Sequence, residues 1–364
     1  MYYFLGIILI ALFIGANMRY GKRNVIKPKK NALTIERFVL LALFGICVAI
    51  FAFESVRSNS DMELYRDAYN SLQYLANDNY LTSILDKKDP FFYFLSFYFG
   101  QLGFGFYVWH ALIGIVYSYA IYVLLKKYSP NIYISFIVFV VLGQLGFALS
   151  ALRQMLAIAF VIFAFINIET RKPIKFIMFT IVASLFHSTA IIFLIAYPLY
   201  RIKLKIKTLI LMTVGMLFVI PIAKPLFLFI MPRIGASELY YEYLQSDKTL
   251  SMSGAIISVC IFLFCVVALL KNKNSSKYQG LCNFALVSIF FKILSASFFA
   301  EAFRFSLYFS IFDTMLIAEA CSCGEKNDKT LIRIKTILVT ALLVVYYFIS
   351  PHSNILNYSP VFLG

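Results

Sequence analysis

Three arginines and a histidine fall on the side of the chain's hydrophobic blocks where basic residues are otherwise scarce. Arg57 lies in Glu54-Ser-Val-Arg-Ser-Asn-Ser-Asp61, with Tyr65 four residues beyond the aspartate. Arg153 lies in Ser150-Ala-Leu-Arg-Gln-Met-Leu-Ala157, and Arg304 opens Arg304-Phe-Ser-Leu-Tyr-Phe309 just after Glu301. His187 sits in Ser184-Leu-Phe-His-Ser-Thr-Ala190. A planar guanidinium offers paired donors to phosphate oxygens, so such cations gathered at one depth suit a diphosphate. An imidazole at the same depth can exchange a proton near neutral pH. Each residue also has a plainer reading. A span-end Arg can snorkel to lipid headgroups, an isolated His can be packing, and Asp61 can be a solvated charge. Lys292 and Asp313 fall inside apolar blocks, where charge is costly and usually paired.

The elements that would position these residues are set by composition. Of 364 residues, 62% are hydrophobic and only 14% charged, far too few charges for a soluble surface of this size. The apolar residues come in blocks of roughly twenty, the length of helices that satisfy their backbone inside hydrocarbon. The blocks fall near 2–18, 35–53, 105–125, 131–148, 150–168, 174–187, 188–200, 207–231, 253–270, 278–298, 302–320 and 333–350. The expected fold is therefore all-α: a single transmembrane domain over 1–364 with about twelve transmembrane helices. The first block runs apolar from Met1 and then meets a basic loop, which reads as a span rather than a cleaved leader.

The net charge of +16 does not point to nucleic acid. Most Lys and Arg lie in six clusters between apolar blocks: Arg19–Arg37, Lys126–Lys127, Arg171–Lys175, Arg201–Lys207, Lys271–Lys277 and Lys326–Lys335. Placed in the cytoplasm, these clusters put both termini outside and Lys29, Lys205 and Lys273 inside. Keeping Arg201–Lys207 inside requires a short helical hairpin over 174–200 that turns near His187 and Ser188. The cysteines lie mostly in apolar stretches, and Cys321-x-Cys323 alone is a weak metal signal, so no metal site or disulfide framework is expected.

Two outer segments are long, 54–104 and 232–252, and long loops on membrane proteins are often functional. The first is expected to hold an amphipathic helix on the membrane surface. The second carries Tyr240, Tyr241, Glu242 and Tyr243. Many of the tyrosines fit an interfacial aromatic belt equally well.

Taken in order, these stretches resemble the EpsG family, a branch of the Wzy-type oligosaccharide repeat-unit polymerases. The matching stretches are Arg57-x-x-x-Asp61-x-x-x-Tyr65, Asp89-Pro-Phe-Phe-Tyr-Phe-Leu95, Leu152-Arg-Gln-Met-Leu-Ala157, Ser184-Leu-Phe-His-Ser-Thr-Ala190, Tyr240-Tyr-Glu-Tyr-Leu244 and Arg304-Phe-x-x-Tyr-Phe309. Relatives often carry Glu-Pro where this chain has Asp89-Pro90; the acid is kept but shortened, which matters little if the carboxylate only anchors a helix. The resemblance implies an enzyme of the bacterial cytoplasmic (inner) membrane, active at its periplasmic or outer face. Such enzymes transfer a growing glycan from undecaprenyl diphosphate to the terminal sugar of an incoming lipid-linked unit, building O-antigen, capsule or exopolysaccharide.

On that scheme Arg153, Arg304 and Arg57 bind diphosphate, His187 or Asp61 handles the acceptor hydroxyl, and Tyr65, Tyr240, Glu242 and Tyr243 face glycan. The scheme calls for no cofactor and no metal. Its partners are the undecaprenyl-diphosphate-linked glycan, membrane lipid and a chain-length regulator, with no nucleic acid. Two other functions share an outer basic site: a flippase for the lipid-linked unit, and an O-antigen ligase. A flippase calls for charge along both halves of the membrane, whereas these candidates gather at one end. An acyltransferase would favour a base on the cytoplasmic side, and the basic loops hold no His.

Overall fold

The computed structural model describes residues 1–22, 30–74, 80–203, 249–271, 276–297, 299–323, 329–349 and 357–361, with scattered residues between 213 and 229. Among these, the regular elements are helices, and the only β contact is an isolated bridge between Glu54 and Pro360. The chain divides into two compact units, residues 1–191 with 324–364, and residues 192–323.

The first unit holds α1 (Tyr2–Lys22), α2 (Lys30–Ala52), α3 (Ser60–Gln73), α4 (Tyr80–Leu85), α5 (Pro90–Gln101) and α6 (Phe106–Tyr128). It continues with α7 (Ile132–Val141), α8 (Gln144–Ala148), α9 (Leu152–Glu169) and α10 (Pro173–Phe186). The second unit holds α11 (Ala196–Leu199), α12 (Ser253–Lys271), α13 (Ser276–Ser297), α14 (Ala302–Ser310) and α15 (Asp313–Ser322). The chain's last helix, α16 (Lys329–Ile349), belongs again to the first unit.

Five helical segments are long and apolar enough to cross a membrane: Ile35–Ala52, Phe106–Tyr128, Leu152–Glu169, Lys277–Ser297 and Thr330–Ile349. Counting α14 and α15 as one span bent by 44° makes six among the described residues, where about twelve are expected from the apolar blocks. The difference has local causes. The block at 131–148 is cut by Gly143, whose φ of 79° lets the chain turn between α7 and α8. The blocks at 174–187 and 188–200 become the short α10 and a 3-10 run, Ser188–Ile195, that ends in α11. Most of 207–231 lies outside the described residues.

Packing sorts the helix ends of the first unit onto two faces. Tyr2 stacks on Tyr347 with ring centroids 4.8 Å apart. Each hydroxyl donates to the other's carbonyl at 3.0 Å, so α1 and α16 run antiparallel. Ring contacts Phe44–Tyr122 and Phe51–Tyr117 make α2 antiparallel to α6. Phe160–Phe186 and Phe163–Phe179 do the same for α9 and α10. Tyr119 and Tyr128 meet Phe163 and Phe165, which aligns α6 with α9, so Lys126, Lys127, Arg171 and Lys175 share one face, while Arg57, Asp61, Arg153 and His187 stand at the other. Cysteines placed at Ser60 and at Arg171 should accordingly be labelled from opposite sides. A membrane-impermeant thiol reagent on intact cells is expected to modify only the first, and equal labelling would reject the sorting.

The segment between α2 and α6 is built on α3, α4 and α5. Asn59 caps α3 by accepting from the Met62 N–H at 2.9 Å, and Asp61 and Glu63 in the first turn favour its dipole. The helix is amphipathic: Met62, Tyr69 and Leu72 are buried, while Asp61, Glu63 and Asp67 face outward. Leu72 joins Ile84 and Phe97 in a small core that Tyr80, Tyr93 and Phe94 complete. Residues 357–361 then return across the start of this segment. Ser55 N donates to the Ser359 carbonyl at 2.7 Å, Ser359 N to Ser58 Oγ at 3.0 Å, and Val361 N to the Phe53 carbonyl at 2.8 Å.

In the second unit, Asn283 on α13 donates to the carbonyls of Leu199 and Ile202 at 2.9 and 2.8 Å, closing the end of α11. Phe193, Phe284, Phe309 and Phe312 pack as one aromatic cluster. Lys292 donates to Ser258 at 2.7 Å.

Candidate functional site

A buried carboxylate organises the candidate site. Asp89 stands at the head of α5, before Pro90, where proline is favoured because its missing N–H is not needed. The sequence suggested a helix anchor, but the Asp89 side chain makes no capping bond to α5. Its oxygens turn the other way, towards two different helices. Oδ2 lies 2.9 Å from His187 Nδ1 and 3.1 Å from Arg153 Nη1, and Oδ1 accepts from the Ser188 N–H at 2.8 Å. The Asp89 backbone is left-handed, at φ 61° and ψ 59°. For a non-glycine residue, and above all one before proline, that conformation costs about 1–3 kcal/mol. Three bonds to one buried carboxylate are what hold it there.

Each partner arrives for a local reason. Arg153 opens α9, whose first turn is otherwise buried at Leu152, Gln154 and Met155, so its guanidinium is the polar group left at the helix end. His187 ends α10 in extended backbone, φ −153° and ψ 109°, before the 3-10 run begins. The helices are antiparallel, so the start of one meets the end of the other. Arg153 Nη1 also donates to the Lys88 carbonyl at 2.9 Å, and Nε reaches Tyr65 Oη at 3.5 Å. Its guanidinium lies 5.9 and 5.7 Å from the ring centres of Tyr65 and Tyr93, and Lys87 Nζ lies 5.2 Å from the Tyr93 ring.

The electrostatics fit a charged Asp89–Arg153 pair joined by a hydrogen-bonded imidazole. Burial alone would raise the Asp89 carboxyl, but the bonds from His187 and Ser188 and the charge of Arg153 outweigh it and lower its pKa. A lowered folded value means that Asp89 contributes stability above the ordinary carboxylate range. That contribution is lost as pH falls through the folded value. Glu54, the other buried carboxyl of this unit, behaves oppositely. It faces His110 at 3.5 Å and has no ion pair with Lys or Arg among the described residues, and burial raises it well above the usual value.

A carboxylate oxygen only accepts, so the bond to Asp89 places the His187 proton on Nδ1. Nε2 is then the bare acceptor, sealed from solvent and without a hydrogen-bond partner among the described residues. Leaving such a buried atom unpaired costs about 1–3 kcal/mol.

The sequence candidates divide accordingly. Arg153, His187 and Tyr65 come together, joined by Asp89, Tyr93 and the Lys87–Lys88 backbone, which the sequence reading did not assign to the site. Arg57 sits exposed in a 3-10 turn, Val56–Ser58, and Asp61 is exposed one turn before Tyr65 on α3. Neither makes a described contact with His187 or Arg153. Arg304 belongs to the second unit and pairs with Glu301 at 2.5 Å. Tyr240, Glu242 and Tyr243 lie outside the described residues. The signal that could have found Asp89 is Lys87-Lys88-Asp89-Pro90: an acid preceded by two cations, before a proline that fixes a helix start.

Compared with known proteins, residues 37–360 match the EpsG family model, nearly the whole chain. No curated protein and no solved structure matches the chain.

Proposed function

Because this chain belongs to the EpsG family of polysaccharide-biosynthesis membrane proteins, we propose that it polymerises lipid-linked oligosaccharide repeat units. In this reading the growing glycan leaves undecaprenyl diphosphate and joins the terminal sugar of an incoming unit at the outer face of a bacterial cytoplasmic membrane. The bond between the anomeric carbon and the phosphate oxygen breaks, and a bond to the acceptor oxygen forms. The acceptor's proton passes to the protein, and undecaprenyl diphosphate departs.

The observation that carries the proposal is the meeting of Arg153 and His187 around Asp89. A glycosyl transfer from a diphosphate needs a cation where negative charge develops and an acceptor for the hydroxyl proton. Arg153 supplies the cation, and its Nη2 has no bond to the protein among the described residues. His187 Nε2 supplies the lone pair. Lys87 and Lys88 add positive charge beside Arg153, and Tyr65 and Tyr93 offer ring faces to a sugar. Arg57 and Arg304 keep their proposed roles on diphosphate, Asp61 is the alternative handler of the acceptor hydroxyl, and Tyr240, Glu242 and Tyr243 face glycan. The sorting of basic ends onto the opposite face fits a cytoplasmic side there. The partners in this reading are two lipid-linked glycans and a chain-length regulator.

Deletion of the gene tests the proposal directly. Surface polysaccharide on a gel is expected to collapse from a ladder to a single repeat unit, with lipid-linked single units still displayed outside. Units retained inside would identify a flippase instead. Full-length polymer left on its lipid carrier would identify a ligase.

A further inference from the structure

We infer that Asp89 is the positioning residue that decides which nitrogen of His187 takes a proton. The inference rests on the reading of His187 as the group that receives the acceptor's proton, and names what prepares it. The Asp89 carboxylate meets three donors: the His187 ring, the Ser188 N–H and Arg153 Nη1. The Ser188 bond is made by backbone one residue beyond the imidazole, so carboxylate and ring are fixed to each other at two points. With Oδ2 accepting only, the ring's single proton is held on Nδ1. The lone pair stands on Nε2, the one polar atom of this cluster left buried and unpaired. Buried polar atoms are nearly always satisfied, so an orphan on a titratable ring asks for a missing donor. A sugar hydroxyl supplies that donor, and its proton leaves along the same line. The arrangement follows the general logic in which a base is itself oriented by a third group.

Asp89→Asn keeps the shape and removes one acceptor. The Ser188 N–H cannot move its proton and Arg153 retains the Lys88 carbonyl. The imidazole is the partner that can adapt, by accepting from the new amide at Nδ1 and carrying its proton on Nε2. Ring ¹⁵N resonances of histidine-labelled protein in a membrane mimic report this directly, with His187→Gln identifying the His187 signals. The parent should show the proton on Nδ1 and a bare Nε2, and Asp89→Asn should show the reverse. Polymerisation of purified lipid-linked units should fall roughly 10²–10⁴-fold in Asp89→Asn, in kcat more than in KM. A parent ring protonated on Nε2, or an Asp89→Asn ring that keeps its proton on Nδ1, overturns the inference whatever the activity. A reversed ring with undiminished polymerisation leaves the positioning intact and removes the proton-acceptor role of His187. A parent that shows the expected ring but has no polymerising activity defeats the proposed function alone.

Discussion

Arg153→Lys is expected to cost at least ~10²-fold in polymerisation although the positive charge is retained. The guanidinium lies between Tyr65 and Tyr93, donates through Nη1 to both Asp89 and Lys88, and reaches Tyr65 through Nε. A lysine amine is a single point on a flexible stem. It could keep the Asp89 contact or reach a phosphate, but it lacks the fork that does both at once. Protein in the membrane must be measured in parallel, since Asp89 without a fixed cation is a buried charge with a weaker partner. Full activity in the Lys variant would reduce Arg153 to a snorkelling span-end residue. Arg304→Lys, in the second unit, tests the other proposed diphosphate ligand. It is expected to lose most activity as well, and the Glu301 pair means that the loss should be read against Glu301→Gln.

His187→Ala is expected to lower the rate roughly 10²–10⁴-fold, the range for losing a positioned general base. In the parent, activity should fall on the acid side as the imidazole takes up a proton and its lone pair disappears. His187→Gln separates the roles. A glutamine can close the hydrogen bond to Asp89 but cannot accept a proton, so the rate stays low and the acid limb disappears. An active Gln variant with an unchanged pH profile would end the base reading and leave His187 as the pin that holds Asp89. The search would then move to Asp61, which lies exposed on α3 one turn from Tyr65.

The helical class and the family were legible because both are written in long-range patterning: apolar blocks, charge punctuation and the order of short stretches. The number of crossing helices was less so. Block length cannot report a break such as Gly143, nor the change from α-helix to 3-10 helix at His187. Arg153 and His187 were found because a cation or imidazole at the end of an apolar block is conspicuous. Asp89 is less conspicuous, since an acid before Pro at a helix start is ordinarily a helix anchor. Only its left-handed backbone turns the carboxylate away from α5, and that conformation is imposed by partners about 64 and 98 residues away. Lys87 is inconspicuous for a related reason. In a loop with several acids it reads as solvated charge, until α5 brings Tyr93 beneath it.

The contacts that join residues 2 and 53–58 to residues 347 and 357–361 bear on the order in which these parts are made. Tyr2 and Tyr347 are 345 positions apart, and Ser58 and Ser359 are 301 apart. At ordinary rates of synthesis, on the order of tens of seconds separate the making of α2 from the making of the residues that close over it. Through that interval the backbone of 53–58, with the turn that carries Arg57, lacks the partners that residues 357–361 will supply. The turn that carries Arg57 is therefore made early and fastened only after residue 357. Asp89, Arg153 and His187 all precede residue 188, so every partner of that carboxylate is made long before the residues that fasten the Arg57 turn.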